Sequence, residues 1–317
     1  MDKKYEILES REVNFGGKIL HRIVAVKNFS DVKKGDIGGF VESERNLSHD
    51  GNCWIYNNAI VCENGEVSGN AKISRNAIVR DESKVYDDAH VFGNASIRYR
   101  SSIHGKALVY DNAEVHGYAD IYDSSRVFNN ARVGGNSMIH EDAQVYENAI
   151  VSGNAEIYGN ARIIDHAHIF ENGVVNGDAQ VYGYARVHGN AEVSGDAIIY
   201  ENASVYGNCS IYGHANICEH ARVYGNAEVS GDVDIHGKSV ITKNVASNDD
   251  YIVMGPIGSR CADTTFIKTK DGIYVKCGCF SGNIEEFKNK VIETHGDNKH
   301  AKNYLASIEF VTKRFDS

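Results

Sequence analysis

The chain has 317 residues, with 33 Lys and Arg against 43 Asp and Glu, for a formal net charge of −10. That balance excludes a general nucleic-acid-binding surface, which needs cations to neutralise phosphates. One proline in the whole chain and no run of 18 apolar residues exclude a proline-punctuated loop protein and a transmembrane helix.

Residues 1–47 read as an N-terminal β cap. Lys18 to Val26 and Gly38 to Val41 have strand character, and Lys33-Lys34-Gly35-Asp36 has the composition of a turn. The opening MDKKYEILES lacks an apolar signal-peptide core, and the seven cysteines show no framework spacing. Both point to a reducing, cytoplasmic setting.

From Trp54 to Val245 the sequence divides into 32 consecutive hexads without an insertion. Position two is Ile or Val in all 32, and position six is Ala, Ser, Gly or Cys in 30. A strict period of six is neither helical nor a plain strand alternation. It fits three short strands and three tight corners per 18-residue coil, with the branched residue pointing inward and stacking on its counterparts. About 10.7 coils would extend roughly 50 Å at a strand spacing of ~4.8 Å. Position five is Asn or Asp in 22 hexads, so it is expected to carry positive φ at the corner. Asn136, Asn154, Asn172, Asn190, Asn208, Asn226 and Asn244 recur 18 apart and are expected to form one hydrogen-bonded ladder.

Two rows of position-three residues are largely aromatic: Tyr56, Ser74, Phe92, Tyr110, Phe128, Tyr146, Ile164, Tyr182 and Tyr200 on one face, and Tyr86, His104, Tyr122, His140 and Tyr158 on another. They read either as rings that stack between coils or as a strip for a subunit or a planar ligand. His104, His116, His140, His188 and His236 follow inward residues and so should face outward.

After the repeat (residues 48–249), residues 250–317 read as a ββαα module. Asp263 to Lys270 and Ile273 to Phe280 flank the turn Asp271-Gly272, followed by helices over Ile284 to Thr294 and Asn298 to Arg314. Residues 48–250 hold 14 basic and 27 acidic residues, whereas 251–317 hold 10 and 8. An anion would therefore be tolerated best at the ends. The Gly255-Pro256-Ile257-Gly258-Ser259-Arg260 segment reads as a loop suited to a phosphate or carboxylate, with Thr264, Thr265, Lys276, His295 and Lys299 as further donors. The alternative is a plain connecting turn. The nucleotide P-loop spacing is missing. Cys277-Gly278-Cys279 would place two thiols on one strand face, but without a second pair it is a weak zinc signal. No metal, cofactor or catalytic residue is assigned.

The pattern [IV]-x-x-[ND]-A-x resembles the hexapeptide repeat of left-handed parallel β-helices, and the left hand comes from that resemblance. The segments GGFVES at 38–43, NLS at 46–48, GNCW at 51–54, GSR at 258–260, DTTF at 263–266, CGCF at 277–280 and THGDNKHAKNYL at 294–305 resemble phage and prophage hexapeptide-repeat proteins of the YdcK-like type. The resemblance implies a mainly β fold: a left-handed parallel β-helix with an N-terminal β cap and a C-terminal α+β module. It also implies a phage or prophage source and, by analogy, a homo-oligomer, with a trimer favoured. Three functions stay open. One is non-enzymatic capture of a small anion such as a nucleotide immune signal, without duplex nucleic acid or membrane as partner. Another is an assembly scaffold. The last is hexapeptide-type acyl transfer, whose enzymes resemble this chain in the repeat alone.

Overall fold

The computed structural model describes residues 3–316, which separate into two compact units divided between Gly177 and Asp178. In the first unit, strands of two residues recur every six positions from Trp54–Ile55 to Val174–Val175, and in the second from Gln180–Val181 to Val240–Ile241. Each pairs in parallel with the strand 18 residues on, as in Trp54–Ile55 with Lys72–Ile73 and then His90–Val91. Three parallel sheets result, and the fold is a left-handed parallel β-helix of hexapeptide repeats. All position-two Ile and Val side chains are buried, Val145 and Ile199 among them at 0% exposure, as are the small residues at position six. Five of those are serines, buried by the corner; Ser125, for example, donates to the Tyr122 carbonyl at 2.7 Å.

Many corners are closed by a bond from the position-six N–H to the position-three carbonyl, as from Ala59 to Tyr56 at 3.1 Å. Positive φ falls on position four, not on position five as the Asn pattern suggests. It runs through every hexad from Asn57 to Gly237, between 55° and 85°. Gly adopts this left-handed φ without steric cost, and Asn and Asp tolerate it better than most residues. Position four is Gly in 16 of these 31 corners, and the rest are Asn, Asp or Glu apart from Arg75 and Tyr99. Several of the acidic ones have a second task. Their carboxylates accept the corner N–H one coil on, as Glu63 does from Asp81 (3.0 Å), Asp81 from Tyr99 (2.8 Å) and Glu141 from Gly159 (2.9 Å). Part of the repeat's acidity is thereby structural.

Position five keeps ordinary φ and is free to point its amide along the stack. Asn76, Asn94, Asn112, Asn130 and Asn148 form one ladder, with links of 3.0–3.3 Å. Asn136 bonds Asn154 and Asn154 bonds Asn172, each at 2.9 Å. In the second unit Asn190 bonds Asn208 and Asn208 bonds Asn226. Asn244 leaves the expected ladder. The hexad register ends there, and its amide turns to Glu228, accepting from that residue's N–H at 3.1 Å.

The outward aromatic rows stack ring on ring. Phe92, Tyr110, Phe128 and Tyr146 lie 4.7–4.9 Å apart with planes within 6°, and Tyr86, His104, Tyr122, His140 and Tyr158 lie 4.7–5.1 Å apart within 8°. These spacings equal the separation between strands, so the backbone pitch dictates the stacking. The sandwiched histidines also meet carboxylates: His104 Nε2 lies 3.0 Å from Asp120, and His140 Nε2 3.1 Å from Glu156.

Parallel pairing begins ahead of the hexads, where Phe40 and Val41 of strand Ile37–Val41 pair with Ile60 and Val61. An antiparallel hairpin, Tyr5–Phe15 with Lys18–Ala25, covers this edge, its first strand being one that residue pattern alone did not reveal. Trp54 is buried there, edge-on to Phe29 at 5.5 Å. Lys4 is also buried, its ammonium 3.1 Å from the Cys53 sulfur and within 3.4 Å of the Asp50 and Gly51 carbonyls.

The C-terminal module holds four antiparallel strands rather than two: Tyr251–Ile257, Ala262–Thr269, Gly272–Cys277 and Phe280–Asn283. Helices α1 (Ile284–His295) and α2 (Lys299–Phe315) follow, close to the expected bounds. Asn283 and Glu286 form a reciprocal capping box on α1, and Asn298 caps α2 by accepting from His300 and Ala301. Phe266, Val275, Phe287, Val291, Tyr304 and Val311 are prominent in its core. The module packs on the last coil of its own chain, where Val240 N–H donates to Thr265 Oγ1 at 3.1 Å.

Among the described residues, no helix is long and apolar enough to cross a membrane.

Replacing Tyr122 with Ser, the residue at Ser68 in the same row, removes two ring contacts and is expected to destabilise the first unit by about 2 kcal/mol. Replacing Asn112 with Ala breaks two ladder bonds and should cost about 1 kcal/mol. Urea unfolding of each variant, followed by far-ultraviolet circular dichroism, measures both.

Candidate functional site

The side chains marked as anion donors do not all converge. The Gly255–Ile257 part of the expected loop is the end of a strand, and only Gly258 to Cys261 turns. That turn places Ser259 and Arg260 on the wall of a cavity of about 460 Å³, whose far side is formed by α1 and α2 through His295, Lys290 and Tyr304. Phe280 and Phe287, 5.1 Å apart, supply apolar lining. Of the seven expected ligand residues, Ser259, Arg260 and His295 thus share one cavity.

The other four lie outside its lining. Thr264 is buried and donates to the Cys277 sulfur at 3.2 Å, while buried Thr265 holds the last coil through Val240. Lys276 donates to the Ser281 hydroxyl at 2.7 Å. Lys299 is the exposed first residue of α2. Alternation along the strand sends the adjacent Thr264 and Thr265 to opposite faces, one toward the Cys277 sulfur and the other toward the last coil.

Two glycines make the cavity's geometry. Gly278 has φ +58°, and a Cβ there would overlap the Arg260 guanidinium. Gly258 has φ +69°, and a Cβ there would overlap the Tyr304 ring. Both positions require the left-handed region as well as the empty space. Among the described residues no carboxylate pairs with Arg260. Lys290 is held by Glu293 at 2.8 Å. His295 stacks on Tyr304, with centroids 5.9 Å apart and planes 25° apart. Burial, reinforced by the Cys277 thiol, pushes the Tyr304 hydroxyl up to about 12, so it remains a neutral donor at physiological pH.

Cys277 and Cys279 do not share a strand face. Gly278 and Cys279 form the turn between two strands, which leaves Cys277 half-buried and Cys279 exposed. Among the described residues, no three His, Cys, Asp or Glu side chains are gathered as for a metal ion. The arrangement instead offers a guanidinium, two hydroxyls and an imidazole around an aromatic wall, a donor set for an anion with an apolar or planar part. Tyr304 escaped the sequence reading, although its spacing with Ala301, Ile308 and Val311 marks the apolar face of α2.

The stacked rows of the repeat offer no comparable site. Their ring faces are covered by one another at 4.7–5.1 Å, which leaves no room for a planar ligand to enter between them.

No family model matches the chain. The chain is similar to a protein described as "Uncharacterized acetyltransferase YdcK" from Escherichia coli (strain K12), with 39% identity over 49 residues. That stretch is 16% of this chain and spans only 15% of the relative's length. Together with the 32 uninterrupted hexads and the parallel pairing of their strands, the comparison fits one coarse description: this chain is a hexapeptide-repeat β-helix protein.

Proposed function

We propose that the protein is a non-enzymatic binding protein whose C-terminal module captures a small anion carrying a planar group, with a nucleotide as the best-fitting class. The observation that carries this reading is the Arg260 guanidinium, without a carboxylate partner, on the wall of a cavity lined by Phe280, Phe287 and Tyr304. In this reading Arg260 and Ser259 hold the phosphate, His295 adds a donor, and the aromatic wall packs against the base. The repeat's excess of carboxylates discourages anions elsewhere on the chain. A phage or prophage source, a cytoplasmic location, a homotrimer, and sequestration of an immune nucleotide all belong to this proposal.

A second reading is acyl transfer. The description of the relative from Escherichia coli and the His104–Asp120 pair favour it. Against it, the hexads run without the protruding loop that shapes an acyl-donor cleft in the enzymes this repeat resembles. Release of free thiol from acetyl-CoA, abolished by His104→Ala, would replace the binding reading with this one.

Native mass spectrometry of the full chain, followed by denaturation and analysis of released small molecules, tests capture. A nucleotide panel added to the purified protein supplies ligands that an expression host lacks. Arg260→Ala is expected to weaken nucleotide binding by more than about tenfold, equivalent to about 1.4 kcal/mol. Gly278→Ala should act in the same direction, by displacing the guanidinium. Equal binding by wild type and Arg260→Ala overturns the assignment.

The Tyr304 environment has its own signature. A phenol kept neutral by the fold supports stability below the ordinary tyrosine range, near about pH 10, and loses that contribution as pH climbs toward about 12. In an alkaline absorbance titration, Tyr304→Phe should remove one phenol that ionises near the top of this window.

A further inference from the structure

Two tyrosines of the first unit break the hexad rules side by side. Tyr99 occupies position four, with φ +63°, where the other corners carry Gly, Asn, Asp, Glu or Arg. A bulky aromatic residue in the left-handed region is an outlier. Tyr118 occupies position five, where Asn or Asp is usual. Their side chains are not in the stacked rows. They are 56% and 58% exposed, unlike the position-three rings that cover one another.

Both line one cavity of about 630 Å³, separate from the Arg260 site in its residues. Each ring is backed by an arginine: Arg98 stands over Tyr99 at 5.9 Å and Arg100 over Tyr118 at 5.6 Å. Arg100 is itself fixed, donating to Glu82 at 2.7 Å and to the Tyr118 hydroxyl at 3.0 Å. Gly117 follows Tyr99 one coil on and contributes to the lining without a side chain. The rings are therefore held in place before a ligand arrives, which lowers the entropic cost of binding.

The polar lining decides the ligand class. Glu63, Asp81 and Glu82 outnumber Lys18 and Arg100, and Lys18 is neutralised by Glu42 at 3.0 Å. An anion is disfavoured here. Carboxylates beside arginine and amide groups, such as Asn64, accept and donate to adjacent hydroxyls, while an exposed aromatic face takes the C–H face of a pyranose ring.

We infer that the Tyr99–Tyr118 cavity is a carbohydrate-binding site for a neutral pyranoside. It has a ligand chemistry distinct from that of the Arg260 cavity and does not depend on that reading.

Saturation-transfer difference NMR on the full chain, with cellobiose, maltose and chitobiose as probes, tests the site. At least one disaccharide should receive saturation at its ring C–H protons, with an affinity in the millimolar range. Tyr99→Gly and Tyr118→Asn are the informative variants, because each restores the residue type usual at its hexad position and so preserves the fold. Each should weaken binding by about tenfold, while thermal unfolding shows Tyr99→Gly at least as stable as wild type. Arg260→Ala should bind the disaccharide as wild type does. The inference is overturned if none of the three probes receives saturation, if both tyrosine variants bind undiminished, or if adenosine or tetramethylammonium binds the cavity more tightly than every disaccharide.

Discussion

The constraint on which the rest of the repeat depends is register. Every residue lies against the residue 18 positions on, because parallel pairing repeats strand upon strand without offset. A side chain placed once in a coil therefore meets its own counterpart in the next. Branched residues meet branched residues inside, amides meet amides at the corners, and rings meet rings outside. Each contact is modest by itself, but a fixed backbone pitch of ~4.8 Å suits stacking rings and amide ladders alike.

The same register assigns work to the charges. A carboxylate at position four is one residue from solvent and one coil from an N–H that needs an acceptor, so Glu63, Asp81, Asp87 and Glu141 each serve the coil ahead. An acidic composition that reads as a solvated face thus satisfies corner backbone groups. It also makes the repeat a poor host for anions, and gives the C-terminal cavity, with Arg260 at its wall, the electrostatic contrast that the proposed function uses.

Regular repeats make departures informative. Departures at the inward positions occur where the pattern ends: Val233 and Val245 replace the small position-six residue, and Asn244 leaves its ladder for Glu228. Tyr99 and Tyr118 depart in mid-repeat, where no change of architecture requires them. A backbone conformation that costs a bulky residue energy persists only when something offsets it. The cavity these rings line gives that cost a use. The Arg260 cavity arises differently, from a non-repeating module in which Gly258 and Gly278 clear space for Tyr304 and the guanidinium.

The sequence by itself determined the coil. A period of six with an unbroken Ile or Val column can bury its apolar residues in few ways, so strand positions, inward faces and aromatic stacking were all legible from Trp54 to Val245. Helices α1 and α2 were legible too, because Gly296 stops the first and Asn298 starts the second. Tertiary structure alone decided where positive φ falls within the corner, since Asn tolerates that conformation and is also the ladder-forming residue; composition cannot separate the two roles. It alone showed that Thr264 and Thr265 are buried on opposite faces of their strand, that Cys279 sits in a turn, and that Tyr304 joins Ser259, Arg260 and His295. Local patterns fix residues that repeat against their own kind. A site assembled from a turn, a sheet and two helices depends on contacts between segments far apart in the chain, and no local period encodes them.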